Sequence, residues 1–359
     1  MIRALLKRGI AVVAVVAFLI AVAGCGKAKQ KMKMPSIKMI TSEYILSAAA
    51  PDDTNIWFVG NHGVIYHSGD EGATWQQQQS GVGTLLCDVS FTDTQTGWVS
   101  GIKGVMLNTA DGGKSWVRQN PGTDRVLLAV YFVDNEYGWA VGEYSTIIHT
   151  TDGGESWHAQ SEDQDSIFND VFFTDRDNGW VVGERGLILQ TTDGGLTWQR
   201  NMPDFFKRET LEEEYENPRP TLFGIYFTDK DHGWMCGIDS TILHTPDGGK
   251  SWKVLNQGTD IILNVFIKGD RGWAVGNQGL YLLSKDGGIT WEAPREVITS
   301  KLTFSNLFFS SPRKGWIVGA SGTVVGTTDG GDTWSFHSGL SYEFEGFKMP
   351  AGLEKRVIE

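Results

Sequence analysis

The sequence predicts an all-β fold, a seven-bladed β-propeller of four-stranded antiparallel blades, and three observations carry that prediction. The chain's fourteen tryptophans fall into seven pairs, each pair 18 positions apart: Trp57/Trp75, Trp98/Trp116, Trp139/Trp157, Trp180/Trp198, Trp234/Trp252, Trp273/Trp291 and Trp316/Trp334. The second member of every pair closes the pattern [ST]-x-D-x-G-x-[ST]-W, so one structural unit is copied seven times. Within each copy, four short β-rich runs sit between Gly, Asp and Asn turns, and no stretch has helical periodicity.

The elements follow in order. Residues 1–24 read as a leader: Arg3, Lys7 and Arg8 precede an apolar run from Ile10 to Ala23 that is too short to span a bilayer. The run ends in Val22-Ala23-Gly24-Cys25, which resembles the lipobox of bacterial lipoproteins. That resemblance implies a lipidated Cys25 and an exported, membrane-anchored protein facing the periplasm or the cell surface. Gly26, standing where an inner-membrane retention signal places Asp, favours the outer membrane. Residues 25–43 form a tether studded with Lys27, Lys29, Lys31, Lys33 and Lys38. Losing a leader with three basic residues and no acid takes the net charge from −12 to about −15. A body this acidic excludes nucleic acid as a partner, because phosphates require clustered Lys and Arg.

Residues 44–340 hold the repeats, whose Asp-Gly turns lie 39 to 54 residues apart. Four strands in so short a unit make a propeller blade, and closing seven of them into a ring removes free sheet edges. The ring is expected to be a monomer. After Trp198 the next copy is delayed by 13 residues, which creates an insertion from Asn201 to Pro220. It carries Glu209, Glu212, Glu213, Glu214 and Glu216 beside Phe205, Phe206 and Tyr215, and Lys207 to Glu216 reads as a short helix between Pro203 and Pro218. Residues 341–359 are a tail. The ring can be closed by the segment after Trp334 or by Ile37 to Thr41, and the sequence does not choose between them.

The turn aspartates are Asp70, Asp111, Asp152, Asp193, Asp247, Asp286 and Asp329. A carboxylate there accepts backbone N–H groups across a tight turn, the flanking hydroxyls add further bonds, and the glycine takes positive φ. Spread around a ring, these groups cannot converge on one ligand, so they read as structural, with no metal or cofactor expected. Cys87 and Cys236 lie in apolar strands of different repeats and read as buried free thiols.

The repeated turn resembles the Asp-box of bacterial sialidases, sortilin-type receptors and certain glucanases. The fuller pattern GWxVGxxGxIxxTxDGGxTW, taken as the outline of a single seven-copy ring behind a lipobox, looks most like the photosystem II stability and assembly factor family. The resemblance implies a non-catalytic role, holding a newly inserted subunit of a membrane complex while its partners arrive. Members of that family carry an arginine-rich surface, whereas the arginines here are scattered along the sequence.

A fold does not dictate an activity, so the site must be sought on the loops. The Asp-box turns lie on one face of a propeller; the turns between strands two and three, and the connections between blades, lie on the other. Its candidate partner-binding residues are His62, Lys103, Arg125, Tyr144, Arg185, Asp239 and Gln278, with Asn61, Glu143, Glu184, Asn277, Asp124, Asp165 and Asp260 beside them. His67, His149 and His244 share one repeat position in alternate blades and cannot meet at a zinc ion. The GGKS runs at 112–115 and 248–251 lack the upstream glycine of a phosphate loop. The enzymatic alternative is a sialidase or another glycoside hydrolase. It needs converging arginines, for which Arg125, Arg185 and Arg219 are candidates, together with paired acid and base groups.

Overall fold

The computed structural model describes residues 37–38, 41, 43–160, 165–216, 218–294 and 301–340. The leader, Cys25 and the tail from 341 onward lie outside them. Seven antiparallel sheets follow one another along the chain, each ordered as its strands occur in sequence apart from one N-terminal strand added to the seventh. The third blade shows the plan: strands Leu127–Phe132, Gly138–Gly142, Ile147–Thr150 and His158–Ala159 run from the centre outward.

The second strand of this blade, Gly138–Gly142, is buried at all five positions, because both its faces are covered by neighbouring blades. Its tryptophan, Trp139, stacks on Phe173 of the fourth blade with ring centroids 3.5 Å apart. Trp57–Phe91, Trp98–Phe132, Trp180–Phe227 and Trp273–Phe309 repeat the stack at 3.5 to 3.9 Å. The second tryptophan of the following blade then meets the same phenylalanine edge-on, as Trp157 meets Phe132 and Trp198 meets Phe173. Glycine at the start of strand two makes room for this ladder, since a Cβ on Gly138 would lie 2.4 Å from the Phe132 ring. The 18-residue spacing is therefore the path from one rung of an inter-blade stack to the next.

Seven hydrophobic clusters result, one at each seam between consecutive blades. The seventh joins Phe308, Trp316, Val318 and Val324 of the last blade to Ile45, Ala48, Ile56 and Phe58 of the first, and it closes the ring. Both chain ends considered from sequence join the sheet of blade 7. Ser335–Leu340 is the fourth strand of blade 7, and Ile37–Lys38 adds a fifth outside it, pairing Ile37 with Leu340. Residues assigned to the tether thus enter the last sheet. Ser310 Oγ donates to Asp53 at 2.6 Å and Lys314 pairs with Glu71 at 2.7 Å across the same seam.

Two blades depart from four strands: blade 7 by that addition, and blade 6 by loss. In blade 6 the fourth strand shrinks to a single bridge between Leu283 and Glu292. Pro294 follows two residues later and has no N–H to continue the ladder.

Candidate functional site

On one face, each Asp-box turn satisfies itself. In blade 2, Asp111 Oδ1 accepts from Ser115 N and Thr109 Oγ1 at 2.9 Å, and its Oδ2 accepts from Ser115 Oγ at 2.6 Å. Thr109 Oγ1 also accepts Gly113 N at 2.8 Å. The other six turns repeat these bonds around Asp70, Asp152, Asp193, Asp247, Asp286 and Asp329. Hydrogen bonds from the Ser or Thr side chain, then its backbone, hold Asp111, Asp152 and Asp286 down at about 2. Both oxygens of each turn carboxylate thus accept a bond within their own turn.

The opposite face is built differently. Each strand-two-to-three turn places two consecutive residues at positive φ, the geometry of a tight type I′ hairpin. The second is Gly63, Gly104, Gly186, Gly279 or Gly322, or Ser145 or Ser240. Gly104 N donates to Arg125 O at 2.8 Å, Ser145 N to Ser166 O at 2.7 Å and Gly186 N to Pro220 O at 2.7 Å, each on the connection to the next blade. The first of the pair projects outward, and in chain order it is His62, Lys103, Tyr144, Arg185, Asp239, Gln278 and Ser321, all exposed. Six of these are the residues singled out from sequence. Ser321 completes the set; aligning Ala320-Ser321-Gly322 with the other copies finds it.

Arg125, the remaining candidate, comes from an inter-blade connection. Its guanidinium stands 5.3 Å from the Tyr144 ring centroid and donates to Tyr144 O at 3.3 Å. It is not among the residues that line the cleft holding Arg185. Arg185 instead lines a cleft of about 690 Å³ between blades 3 and 4 together with Arg200 and Arg219. Arginines scattered along the sequence are thus gathered in space, and Arg200 is the one that sequence reasoning missed. Ile147, Phe168, Leu187, Leu189 and Trp198 supply the cleft's apolar lining, and Glu184 is the one carboxylate along it among the described residues.

The insertion sits beside this cleft. Phe206 is buried in the seam between blades 4 and 5, against Gly186, and anchors the segment. The predicted helix is shorter than expected, spanning Leu211–Glu216, after a 3₁₀ turn at Asp204–Phe206. Its start is set by Thr210, whose Oγ1 accepts Glu213 N at 3.1 Å, while the Glu213 carboxylate accepts Glu209 N at 2.7 Å. Phe205 and Tyr215 stay exposed, Tyr215 at 89%.

The central channel holds the other ionisable groups worth weighing. Asp88 accepts from Ser47 Oγ at 2.6 Å and Val130 N at 2.9 Å; Asp170 accepts from Val171 N at 2.8 Å and Ile225 N at 2.9 Å. These bonds tie the innermost strands of neighbouring blades. Burial, and then the charge of Asp88, push Asp170 up to about 8. The three repeat-equivalent histidines each pack on the tryptophan of their own blade, at 4.2, 4.8 and 4.7 Å, and do not meet. Cys87 and Cys236 are free thiols, with Cys236 buried and Cys87 half-buried.

A cleft with three guanidiniums and an apolar lining suits a carboxylate-bearing extended chain, through charge-assisted hydrogen bonds. Comparison with known proteins bears on the repeats and the fold. The family described as photosynthesis system II assembly factor YCF48 matches at residues 75–161, 118–203, 157–216 and 207–297. The photosystem II assembly protein Ycf48 of Thermosynechococcus vestitus is 39% identical over 33 residues, a stretch covering 9% of this chain and 10% of that protein. A solved structure of YCF48 bound to a D1 peptide superposes with a TM-score of 0.67 at 23% identity, covering 81% of this chain and 95% of that one. YCF48 from Cyanidioschyzon merolae gives 0.65 at 21%, covering 81% and 97%. The xyloglucanase of Xanthomonas campestris gives 0.68 at 10%, covering 85% of this chain and 56% of its own, a likeness of fold. The repeats, the ring they close and the match along residues 75–297 together show that this chain belongs to the YCF48 family of photosynthesis system II assembly factors.

Proposed function

We propose that this protein is a non-catalytic, lipid-anchored assembly factor that holds an extended segment of a newly made membrane-complex subunit in the cleft between blades 3 and 4. The complex is photosystem II where the host has one. The observation that carries the reading is the convergence of Arg185, Arg200 and Arg219 over an apolar lining, on the face whose projecting side chains differ from blade to blade. A relative of the same fold binds a D1 peptide, which supports a peptide as the occupant. Cys25, at the end of a lipobox-like run, is the proposed acylation site.

Affinity purification from detergent-solubilised membranes, read by quantitative mass spectrometry, tests this. The wild type is expected to recover a specific subunit. Arg185→Ala with Arg219→Ala is expected to lose it, with binding at least about tenfold weaker, since each charge-assisted bond contributes roughly 1.5–3 kcal/mol. Undiminished recovery by the variant, or turnover of xyloglucan or a fluorogenic glycoside by the wild type, would overturn it.

A further inference from the structure

We propose that the central channel is a binding site for a small alkylammonium ion, its charged head held by Asp88 and Asp170 and its alkyl stem laid along an arc of aromatic rings. All seven blades meet there around a cavity of about 300 Å³, and none of its residues lines the arginine cleft. The strand registers sort the lining into two layers. Ser47, Asp88, Asp170, Asn264 and Asn306 share one repeat position, opposite Val59, Ser100, Val182, Val275 and Val318 of strand two. Two residues on, opposite the tryptophans, blades 3 to 7 present Tyr131, Phe172, Tyr226, Phe266 and Phe308. Blades 1 and 2 present only Ala49 and Ser90 there. A carboxylate layer thus lies about 7 Å along the strands from an aromatic one.

Each layer matches one end of such an ion. The bonds that tie Asp88 and Asp170 to neighbouring strands use only part of a carboxylate's capacity of about four acceptor sites. Asn264, in the same layer, buries its Oδ1 without a hydrogen-bond partner among the described residues. Tyr131, Phe172, Tyr226 and Phe266 run ring to ring with centroids 4.6 to 5.3 Å apart, a surface that takes an alkyl stem and favours a nearby positive charge. A hard divalent metal would suit the channel less. It takes about six to eight oxygen ligands, and among the described residues no three His, Cys, Asp or Glu side chains gather for one. Burial, and then the charge of Asp88, push Asp170 up to about 8, and burial raises Asp88 as well. The titratable groups facing Asp170 are Asp88, Tyr131, Tyr226 and Cys236, with Cys87 beside Asp88, and none of them supplies a positive charge. An ammonium ion entering at neutral pH therefore displaces a proton from Asp170 to the solvent.

Isothermal titration calorimetry of the full chain with butylammonium tests this, with methylammonium and butanol as controls. Butylammonium is expected to bind more tightly than either, because it alone carries both the charge and the stem. Its affinity is expected to rise as pH approaches 8, by up to about tenfold per unit. The displaced proton is read as a binding heat that changes with the ionisation enthalpy of the buffer. Asp170→Asn is expected to weaken binding at least about tenfold and to reduce proton release. Tyr226→Leu is expected to weaken binding and leave proton release intact. Circular dichroism checks that both variants fold, and the wild-type pH profile decides the matter if they do not. Tighter binding of butylammonium than of Nα-acetyl-lysine amide would mark a free amine as the occupant, and the reverse a lysine side chain of a partner. No binding by the folded wild type near pH 8, butanol binding as tightly as butylammonium, or an affinity indifferent to pH would overturn the proposal and leave the cleft untouched.

Discussion

The two faces of this propeller use the same device, a tight turn with residues at positive φ, to opposite ends. On the Asp-box face the side chains that define the turn are the ones that bond it, as Asp111, Thr109 and Ser115 do. On the other face the second turn residue fastens the backbone at Gly104, Ser145, Gly186, Ser240 and Gly322, and the first is left to vary: His62, Lys103, Tyr144, Arg185, Asp239, Gln278 and Ser321 stand on equivalent backbone. Repetition in side chains marks construction. Repetition in backbone with divergent side chains marks a platform.

The largest expected effect comes from setting construction against platform within blade 3. Trp139 is fully buried, stacks on Phe173 at 3.5 Å and donates its indole N–H to Gly194 O at 3.1 Å in the next blade. Trp139→Ala is expected to destabilise the fold by about 3–5 kcal/mol. Tyr144→Ala, five residues on and half-exposed, is expected to stay within about 0.5 kcal/mol. Denaturant unfolding midpoints check both. Comparable losses from the two variants would erase the distinction.

Acidity separates the Asp-box face from the central channel as well. Asp111, Asp152 and Asp286 sit at about 2 in the folded state, below their unfolded value. The stability they contribute is present above pH 4 and is lost as pH falls towards 2. Asp170 runs the other way. The unfolded chain gives up its proton near pH 4, whereas the folded protein keeps it until about 8. Between those values the native state binds more protons, so stability falls as pH rises, by at most about 1.4 kcal/mol per pH unit for one group. Asp170→Asn is expected to flatten that decline. Unfolding free energies measured from pH 4 to 8 decide it, and an unchanged slope in the variant would locate the titration elsewhere, with Asp88 the next group to replace.

Much of this was legible in the sequence because a repeat states its own geometry. The tryptophan spacing and the Asp-box pattern specify the blade, and six of the seven projecting residues follow from aligning the copies. What the sequence withheld is three-dimensional convergence. Arg200 ends a fourth strand and Arg219 ends an insertion, so neither shares a repeat position with Arg185, yet all three line one cleft. The phenylalanine rungs were missed for a related reason. Phe132 and Phe173 look like ordinary strand-one residues until the neighbouring blade supplies Trp98 and Trp139. Ring closure was open because both candidate segments take part, one as the fourth strand of blade 7 and one as its fifth.

The smallest effect tests the platform most closely. Lys103 holds φ +58 and Gly104 holds φ +59, side by side in one turn. If the first position is kept for its side chain, it carries a backbone cost that glycine relieves. A left-handed conformation costs an ordinary residue about 1–2 kcal/mol, and glycine's extra chain entropy returns about 0.5–1 of that. Lys103→Gly is therefore expected to stabilise the fold slightly, by about 0.5 kcal/mol. Gly104→Ala is expected to do the reverse, because its Cβ would lie 1.9 Å from Thr123 O. Thermal unfolding of the two variants resolves the pair. A loss of stability in Lys103→Gly would mean that the lysine supports the turn, and that this face is construction as well.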